Sequence, residues 1–217
     1  RFVRGACVTT TARAAEMTKL TENAFRDVNI AFANELSVLC EELEIDVWEL
    51  IGLANRHPRV EILSPGPGVG GHCLAVDPWF IVELAPKSSN LIRTAREVNE
   101  AKPHWVVDRV RRKAERFKNP KIACLGLAYK PDVDDLRESP AVEITEQLVK
   151  AGIGDVWAVE PFISEHSEIP LRDLQSGVED ADIVLLLVGH RQFKRMPHQW
   201  LREKVVFDIC GLFHRSD

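Results

Sequence analysis

The second half of the chain alternates short apolar runs with a helical pattern, and this alternation restricts the possible folds most strongly. Four runs rich in β-branched residues are bounded by turn residues: KIACLGLAY, DVWAVE, DIVLLLV and KVVFDIC, which begin at residues 121, 155, 182 and 204. Between the first two, Ser139 and Pro140 suit the start of a helix and Gly152 suits its end. We therefore predict an α/β fold in which a parallel sheet with right-handed crossovers forms a small doubly wound, Rossmann-like domain. Its ligand should bind at the carboxyl ends of the strands.

The first half of the chain has a helical pattern instead. Over residues 11–45 the apolar residues recur every three or four positions without proline or glycine, which predicts a long amphipathic helix. A second helix should begin after Asp46 as its cap and end before Pro58. We therefore divide the chain into a helical domain, residues 1–118, and an α/β domain, residues 119–217.

Two prolines mark further helices in the first domain. Asp77 should cap a short helix that has Pro78 at its first position. Residues 88–117 then show a further long helical pattern, which should be kinked or broken near Pro103.

Charge and hydropathy exclude several classes of protein. The net charge of −5 and pI near 5.9 leave no general basic surface for nucleic acid. The basic run at residues 108–118 is interleaved with apolar residues at helical spacing and favours a solvated helix face. Neither a membrane span nor a signal peptide is visible, so we expect a cytoplasmic protein. The five cysteines are scattered without C-x-x-C spacing, which indicates neither a disulfide framework nor a zinc site.

The loop SPGPGVGGHCLAVDP, residues 64–78, is the strongest candidate for chemistry. It places four glycines and three prolines around Cys73. Backbone amides of such a loop, just ahead of a helix, supply positive potential that suits a nucleophilic thiolate. A buried structural thiol is the alternative for Cys73, and a helix cap is the alternative to an acid–base role for Asp77. His72 adjoins Cys73, and adjacent side chains diverge, so these two do not form a dyad.

Polar residues elsewhere could complete a site. Glu16, Lys19 and Asn23 lie on one face of the first helix, where Lys19 and Asn23 could hold an oxyanion or simply form an exposed polar stripe. Lys130 and Arg137 follow the first strand and could bind phosphate or be ordinary surface charges. The stretch CLGLAYK has one glycine where a dinucleotide fingerprint needs three, so a mononucleotide suits this domain better than NAD.

Three motifs in order, AEMTKLTENAFRDVNIAFANEL, GPGVGGHCLAVDP and GLAYKPDVDDLRESPA, resemble successive motifs of the UDP-glucose/GDP-mannose dehydrogenase family. The resemblance covers almost the whole chain. It implies oxidation of a sugar C6 alcohol to a carboxylate by two hydride transfers to NAD, with UDP-sugar as substrate. One combination of motifs narrows the resemblance: NRHPRV, then GGHC, then AVDPWF. It is most similar to family members that act on UDP-N-acetyl-D-mannosamine. Such members make precursors of bacterial polysaccharides such as enterobacterial common antigen.

The resemblance also implies roles for individual residues. Cys73 matches the nucleophile that forms a thiohemiacetal and then a thioester. Lys19 and Asn23 match the groups that stabilise the oxyanion, and Asp77 matches the carboxylate that assists proton transfer. The other matches are substrate contacts at Arg59, Ser64, Gly66, Gly68, Gly70, Gly71, Tyr129 and Lys130, and a cofactor contact at Arg137. Arg59 would reach the sugar site of a neighbouring subunit.

Family members begin with an N-terminal Rossmann domain that holds NAD, and this chain starts where that domain should end. The resemblance therefore implies the central and C-terminal parts alone, without turnover by themselves, and a homodimer through the long helices. Three alternatives stay open: another UDP-sugar such as UDP-N-acetylglucosamine or UDP-glucose, a thiol hydrolase or acyltransferase, and a non-catalytic nucleotide-binding module.

Overall fold

Helices form the first half of the chain in the computed structural model, which describes residues 5–214. They are α1 (Ala12–Glu42), α2 (Val47–Ala54), α3 (Asp77–Leu84) and α4 (Asn90–Ala114). The Thr11 hydroxyl accepts a hydrogen bond from Ala14 N at the start of α1, and Asp46 caps α2 as predicted. Helices α1 and α4 pack against each other, and α3 contacts both.

The sequence predicts a kink or a break near Pro103, and the break is wrong, because helix α4 runs through Pro103 as one element. Proline has no N–H to donate to the carbonyl of Asn99, four residues earlier. That carbonyl faces the glycine loop instead: a Cβ built on Gly68 would lie 3.2 Å from Asn99 O and 3.5 Å from Pro103 Cδ. The proline therefore occupies a position at which the helix is approached closely by another part of the backbone.

The second half contains the predicted parallel sheet. Strands β1 (Lys121–Leu125), β2 (Asp155–Val159), β3 (Ile183–Leu186) and β4 (Val205–Asp208) are arranged in the order β2-β1-β3-β4, and every pairing is parallel. Helix α5 (Pro140–Ala151) connects β1 to β2, with the Ser139 side chain at its start and Gly152 in the left-handed region at its end. This confirms the fold class that the sequence predicts.

Helices cover both faces of the sheet, because alternate residues of each strand point to opposite sides. Ile122 and Cys124 pack with α5 and with the second half of α4. Ala123 and Leu125 pack with α6 (Leu174–Glu179) and α7 (Arg191–Lys194) on the other side. Since α4 contributes to the core of the sheet, the two halves are held together by a shared helix. The domain boundary between residues 118 and 119 stays a prediction.

The glycine loop passes over the carboxyl edge of the sheet and so reaches the segment that follows β1. Gly71 N donates to the carbonyl of Arg137 at 3.2 Å, which ties the loop to the second domain. A short 3-10 helix (His198–Leu201) precedes β4. Within residues 5–214, no helix combines the length and apolar character that a membrane span requires.

Candidate active site

Cys73 is exposed at a cavity of about 380 Å³ that lies between α1, the glycine loop and the segment after β1. Its carbonyl accepts hydrogen bonds from Val76 N at 3.1 Å and Asp77 N at 2.8 Å, which places the residue directly before α3. The alternative of a buried structural thiol is therefore wrong. The cavity lining includes several predicted site residues, namely Asn23, Gly68, Gly70, Gly71, Tyr129 and Lys130.

Asn23, Asp77 and Lys19 form a chain of polar contacts beside this cavity. Asn23 is buried, and its Nδ2 donates to Asp77 Oδ2 at 2.5 Å. Lys19 Nζ lies 3.5 Å from Asn23 Oδ1 and 3.4 Å from Glu22 Oε2, on the exposed surface of α1. The predicted side-chain cap by Asp77 is wrong: Asp77 is the first residue of α3 and makes no capping bond, because the amide of Asn23 occupies its carboxylate instead.

Gly70 is required by the close approach of the loop to the second domain. A Cβ at this position would lie 2.4 Å from Glu138 O, 2.9 Å from Pro140 Cδ and 3.0 Å from Tyr129 Cβ. Those neighbours include backbone and a proline ring, which cannot rotate away. The glycine therefore allows the loop to contact the segment after β1 directly.

We predict that Gly70→Ala lowers the free energy of unfolding by about 1–3 kcal/mol, since the added methyl group must displace backbone. Gly52→Ala is the matched control, because a Cβ at Gly52 in α2 meets nothing within 4 Å. Alanine there should stabilise the helix by about 0.5–1 kcal/mol. Urea unfolding of both variants checks this, and equal stability of the two would contradict the close approach.

Tyr129 and Lys130 connect the Cys73 cavity to a second, smaller one. That cavity, of about 150 Å³, lies at the carboxyl edge of the sheet, and residues following β1, β3 and β4 line it. Gly66 and Gly68 form its opposite wall, and Tyr129 and Lys130 line both cavities. A ligand at the strand ends, as predicted for this fold, would therefore extend toward Cys73 along these two side chains.

Arg137 lies at the edge of this region and is paired with Asp135. Its Nη2 is 2.6 Å from Asp135 Oδ2, and its side chain is 64% exposed. Hydrogen bonds from Arg137 lower the pKa of Asp135 to about 2. Asp135 in turn raises the pKa of Arg137, and smaller contributions come from Tyr129 and Cys73. The guanidinium is therefore held by Asp135 at an exposed position.

Besides Lys19, Asp77 and Arg137, two further predicted residues line neither cavity. Arg59 and Ser64 are exposed and contribute to neither lining. The backbone amide of Arg59 donates to His57 Nδ1 at 3.3 Å. Within this single chain, the structure does not bring either side chain to Cys73.

Sequence reasoning missed the buried polar side chains that hold the glycine loop. Asn34 is buried on α1, where its Oδ1 accepts from Gly66 N at 2.9 Å and its Nδ2 donates to Asn99 Oδ1 at 2.9 Å. Asn29 Oδ1 accepts from Leu63 N at 2.9 Å. A sequence signal did exist: polar residues fall among the small apolar residues of the α1 face that packs on α4.

A buried ion pair continues this network. Arg96 Nη1 lies 2.8 Å from Asp27 Oδ1, and the two side chains are 4% and 0% exposed. Asn99 Nδ2 also donates to Asp27 Oδ1 at 2.9 Å. Burial raises the pKa of Asp27, against the opposing effect of the Arg96 charge. The pair joins α1 to α4 next to the residues that hold the loop.

Two family models match the chain. One describes the central domain of the UDP-glucose/GDP-mannose dehydrogenase family and matches residues 13–101; the other describes its UDP binding domain and matches residues 123–215. The chain belongs to the UDP-glucose/GDP-mannose dehydrogenase family. The resemblance that the motifs indicated is thereby confirmed.

Relatives in this family carry two different substrate names. The chain is 59% identical over 216 residues to an NDP-N-acetyl-D-galactosaminuronic acid dehydrogenase of Ralstonia nicotianae, covering 98% of this chain and 51% of the relative. It is 56% identical over 199 residues to a UDP-N-acetyl-D-mannosamine dehydrogenase of Campylobacter jejuni, covering 88% of this chain and 49% of the relative. The chain therefore spans about half the length of these curated dehydrogenases.

Solved structures of the family have the same fold. A UDP-N-acetyl-mannosamine dehydrogenase from S. aureus superposes with a TM-score of 0.87 at 44% identity, over 99% of this chain and 52% of that one. The corresponding enzyme from Pyrococcus horikoshii gives a TM-score of 0.86 at 38% identity, over 98% of this chain and 51% of that one. Both halves of the chain therefore have counterparts in these dehydrogenases.

Proposed function

We propose that this chain is the central and C-terminal part of an NAD-dependent UDP-N-acetyl-D-mannosamine 6-dehydrogenase, which oxidises the sugar C6 alcohol to a carboxylate. The observation that carries the proposal is the exposed thiol of Cys73 in a cavity shared with Asn23, Tyr129 and Lys130. The thiol lies at one end of this region and the strand-edge cavity at the other. Because the two cavities share Gly68, Tyr129 and Lys130 in their linings, we place the nucleotide in the smaller cavity and the sugar at the thiol.

The chemistry follows from the thiol and its neighbours. After the first oxidation, the Cys73 thiolate adds to the C6 aldehyde and forms a C–S bond, and the carbonyl oxygen becomes an oxyanion. The Asn23 amide and the Lys19 ammonium stabilise this oxyanion by hydrogen bonding. The second oxidation converts the thiohemiacetal to a thioester. Water then cleaves the C–S bond with Asp77 assisting the proton transfer, and the thiolate is released.

Few residues of this chain suit NAD binding. The second domain lacks the three-glycine fingerprint, and among the described residues we assign only Arg137 to the cofactor, as a contact for its phosphates. NAD, when bound, accepts the hydride lost from C6 in each oxidation. We propose that its main site lies outside residues 1–217 and that the chain alone does not turn over, since hydride transfer needs the cofactor held beside the sugar.

The UDP moiety would occupy the smaller cavity and its rim. Lys130 supplies the positive charge for phosphate, and Tyr129 supplies an aromatic face. The backbone of Gly66 and Gly68 would follow the nucleotide along the opposite wall, and that of Gly70 and Gly71 would continue toward Cys73.

We also propose a homodimer through α1. Phe25, Phe32 and Leu39 recur every seven residues along this helix and remain 68%, 50% and 45% exposed. A stripe of this kind on a long helix fits a second copy of the same helix. The exposed Arg59 would then be available to the partner's sugar site. We place the dimer in the cytoplasm, where the five thiols of each chain stay reduced.

A dehydrogenase of another nucleotide acetamido sugar is the second candidate. The relative at 59% identity is named for N-acetyl-D-galactosaminuronic acid, which differs from the mannosamine product in stereochemistry. If residues 1–217 are considered without the rest of the protein, the alternative is a non-catalytic nucleotide-binding module.

Calorimetric titration of the protein with UDP, UDP-N-acetylmannosamine and GDP tests the proposal. We expect both uridine ligands to bind and GDP to bind at least about tenfold more weakly, because the base is recognised as well as the phosphates. Lys130→Ala should weaken UDP binding about tenfold through the loss of a charge-assisted phosphate contact. Lys118→Ala, at an exposed position outside both cavities, is the control. Equal binding of GDP, or no nucleotide binding, would contradict the proposal.

A further inference from the structure

Glu160 directly follows β2, and both oxygens of its buried carboxylate accept hydrogen bonds from protein groups. Oε2 accepts from Leu127 N at 2.7 Å, from Ala128 N at 3.1 Å and from His190 Nε2 at 3.1 Å. Oε1 accepts from Phe162 N at 3.1 Å. Burial alone would raise the pKa of Glu160, but the hydrogen bonds from His190, Leu127 and Ala128 lower it. The residue is therefore a buried carboxylate with four donors.

An acidic residue after the second strand has a different use in dinucleotide-binding Rossmann domains, where it accepts hydrogen bonds from ribose hydroxyls. Here Oε2 accepts three of the four donors and Oε1 accepts the fourth, all from within the domain. The Glu160 side chain is also 0% exposed, so a ribose bound at the surface cannot reach it. Its bonds go instead to the backbone just ahead of Tyr129 and Lys130.

His190 extends this arrangement to the far side of the same segment. The ring is completely buried, and its Nδ1 accepts from Asp132 N at 2.9 Å. Since Nδ1 is an acceptor, the proton of the neutral ring is on Nε2 and is donated to Glu160. The Asp132 carboxylate accepts hydrogen bonds from Arg191 N at 3.1 Å and from Arg191 Nε at 2.7 Å. Phe162 and Phe193 pack against the two sides of the imidazole.

The backbone of the segment 127–132 includes a residue in an unfavourable conformation, which the surrounding contacts must stabilise. Asp132 has φ of 61°, in the left-handed region that non-glycine residues rarely adopt. Such a conformation persists where surrounding contacts determine it. The Asp132 N–H and carboxylate are both bound to the segment that follows β3, while Glu160 binds Leu127 and Ala128. Tyr129 and Lys130 lie between these two anchors.

We infer that Glu160 and His190 are positioning residues, which hold the segment 127–132 so that Tyr129 and Lys130 line the nucleotide cavities. The inference rests on the proposed function, because it assigns UDP to those cavities. It explains why this domain keeps an acidic residue after β2 although it lacks the dinucleotide fingerprint. The carboxylate shapes the binding loop and does not touch the nucleotide.

Two substitutions of His190 separate the two hydrogen bonds in the intact protein. His190→Asn keeps an acceptor for Asp132 N near the position of Nδ1, whereas His190→Gln keeps a donor for Glu160 and leaves the Asp132 N–H without its acceptor. We expect His190→Gln to raise the UDP Kd about tenfold, because the Asp132 N–H loses the acceptor that holds the segment. His190→Asn should stay within about threefold of the wild type. Leu148→Ala, in α5 on one face of the sheet, is the control for lost stability alone.

The readout distinguishes positioning from a merely structural role. A positioning role predicts that His190→Gln raises KM for the UDP-sugar about tenfold while kcat at saturation stays within about twofold, because ground state and transition state lose the same contact. Leu148→Ala should lower Tm at least as much and leave the UDP Kd unchanged. If the two His190 variants bind UDP as tightly as the wild type, or if Leu148→Ala weakens UDP binding equally, the inference is wrong.

Asp132→Asn gives an independent test that does not disturb the buried ring. It removes the charge that pairs with Arg191 at an exposed edge and retains a residue type that tolerates positive φ. The UDP Kd should rise about threefold, and an unchanged Kd would count against the second anchor. Wild-type protein that binds no UDP would overturn the proposed function itself, and this inference with it.

Discussion

Cys73→Ser is expected to lower kcat of the intact dehydrogenase by about three orders of magnitude or more, because a serine hydroxyl at neutral pH is a far weaker nucleophile than a thiolate. In the proposed mechanism, the aldehyde is then not held for the second oxidation, because no C–S bond forms. The side chain differs by one atom and stays in the same exposed position, so UDP binding should remain within about twofold of the wild type. Steady-state NADH formation and calorimetric titration measure the two effects.

Cys7→Ser is the matched control for this prediction. Cys7 is also exposed, and it lies outside both cavities, so its substitution should leave kcat unchanged. Full activity of Cys73→Ser would instead support the non-catalytic module. Equal loss in both variants would show that the effect of serine is not specific to the cavity.

Much of the second domain could be predicted because its signals are local. Ser139 and Gly152 act on the amides and carbonyls of their own helix, and the structure has them at its two ends. The β-branched runs likewise define their strands without reference to distant residues. Asp77 shows where this reasoning fails: a local cap was expected, but Asn23, 54 positions away in sequence, provides the donor that the carboxylate takes. Tertiary contacts of that kind compete with caps and leave no trace in sequence spacing.

The candidate site divides in the same way. Cys73 was recognisable from the density of glycine around it, and Lys130 from its place after a strand. His190 and Glu160 had no distinguishing context, because they act through backbone amides 58 and 33 positions away. The contacts of Asn34 could not be predicted either, since helical periodicity shows which face of α1 a residue lies on but not which residue it binds. Residues that bind distant backbone amides are therefore harder to predict than residues that lie in or beside a glycine-rich loop.

The buried pair of Asp27 and Arg96 gives the second large expected effect, in stability. Arg96→Met should lower the free energy of unfolding by about 3–5 kcal/mol at pH 7, because it leaves an unpaired carboxylate in the interior. Arg96 lowers the pKa of Asp27, which burial raises overall, so removing the arginine raises that pKa further. A folded-state pKa above the unfolded value favours folding in acid, and this contribution disappears as pH rises through the folded value. Urea unfolding should therefore show a smaller deficit at pH 5 than at pH 7.

The double variant Asp27→Leu/Arg96→Met should recover most of this loss, to within about 1–2 kcal/mol of the wild type. Within the described residues, Asp27 Oδ2 and Arg96 Nε are buried without hydrogen-bond partners, so the pair is not fully compensated even when intact. Asn99 keeps an acceptor in the double variant, because its Nδ2 also donates to the carbonyl of Asp27 at 3.1 Å. Asn99 can then still orient Asn34, and through it the amide of Gly66. If the double variant recovers both stability and UDP affinity, the glycine loop depends on the hydrogen bonds of Asn99 and Asn34. If it recovers stability but not UDP affinity, the ion pair itself sets the position of the loop.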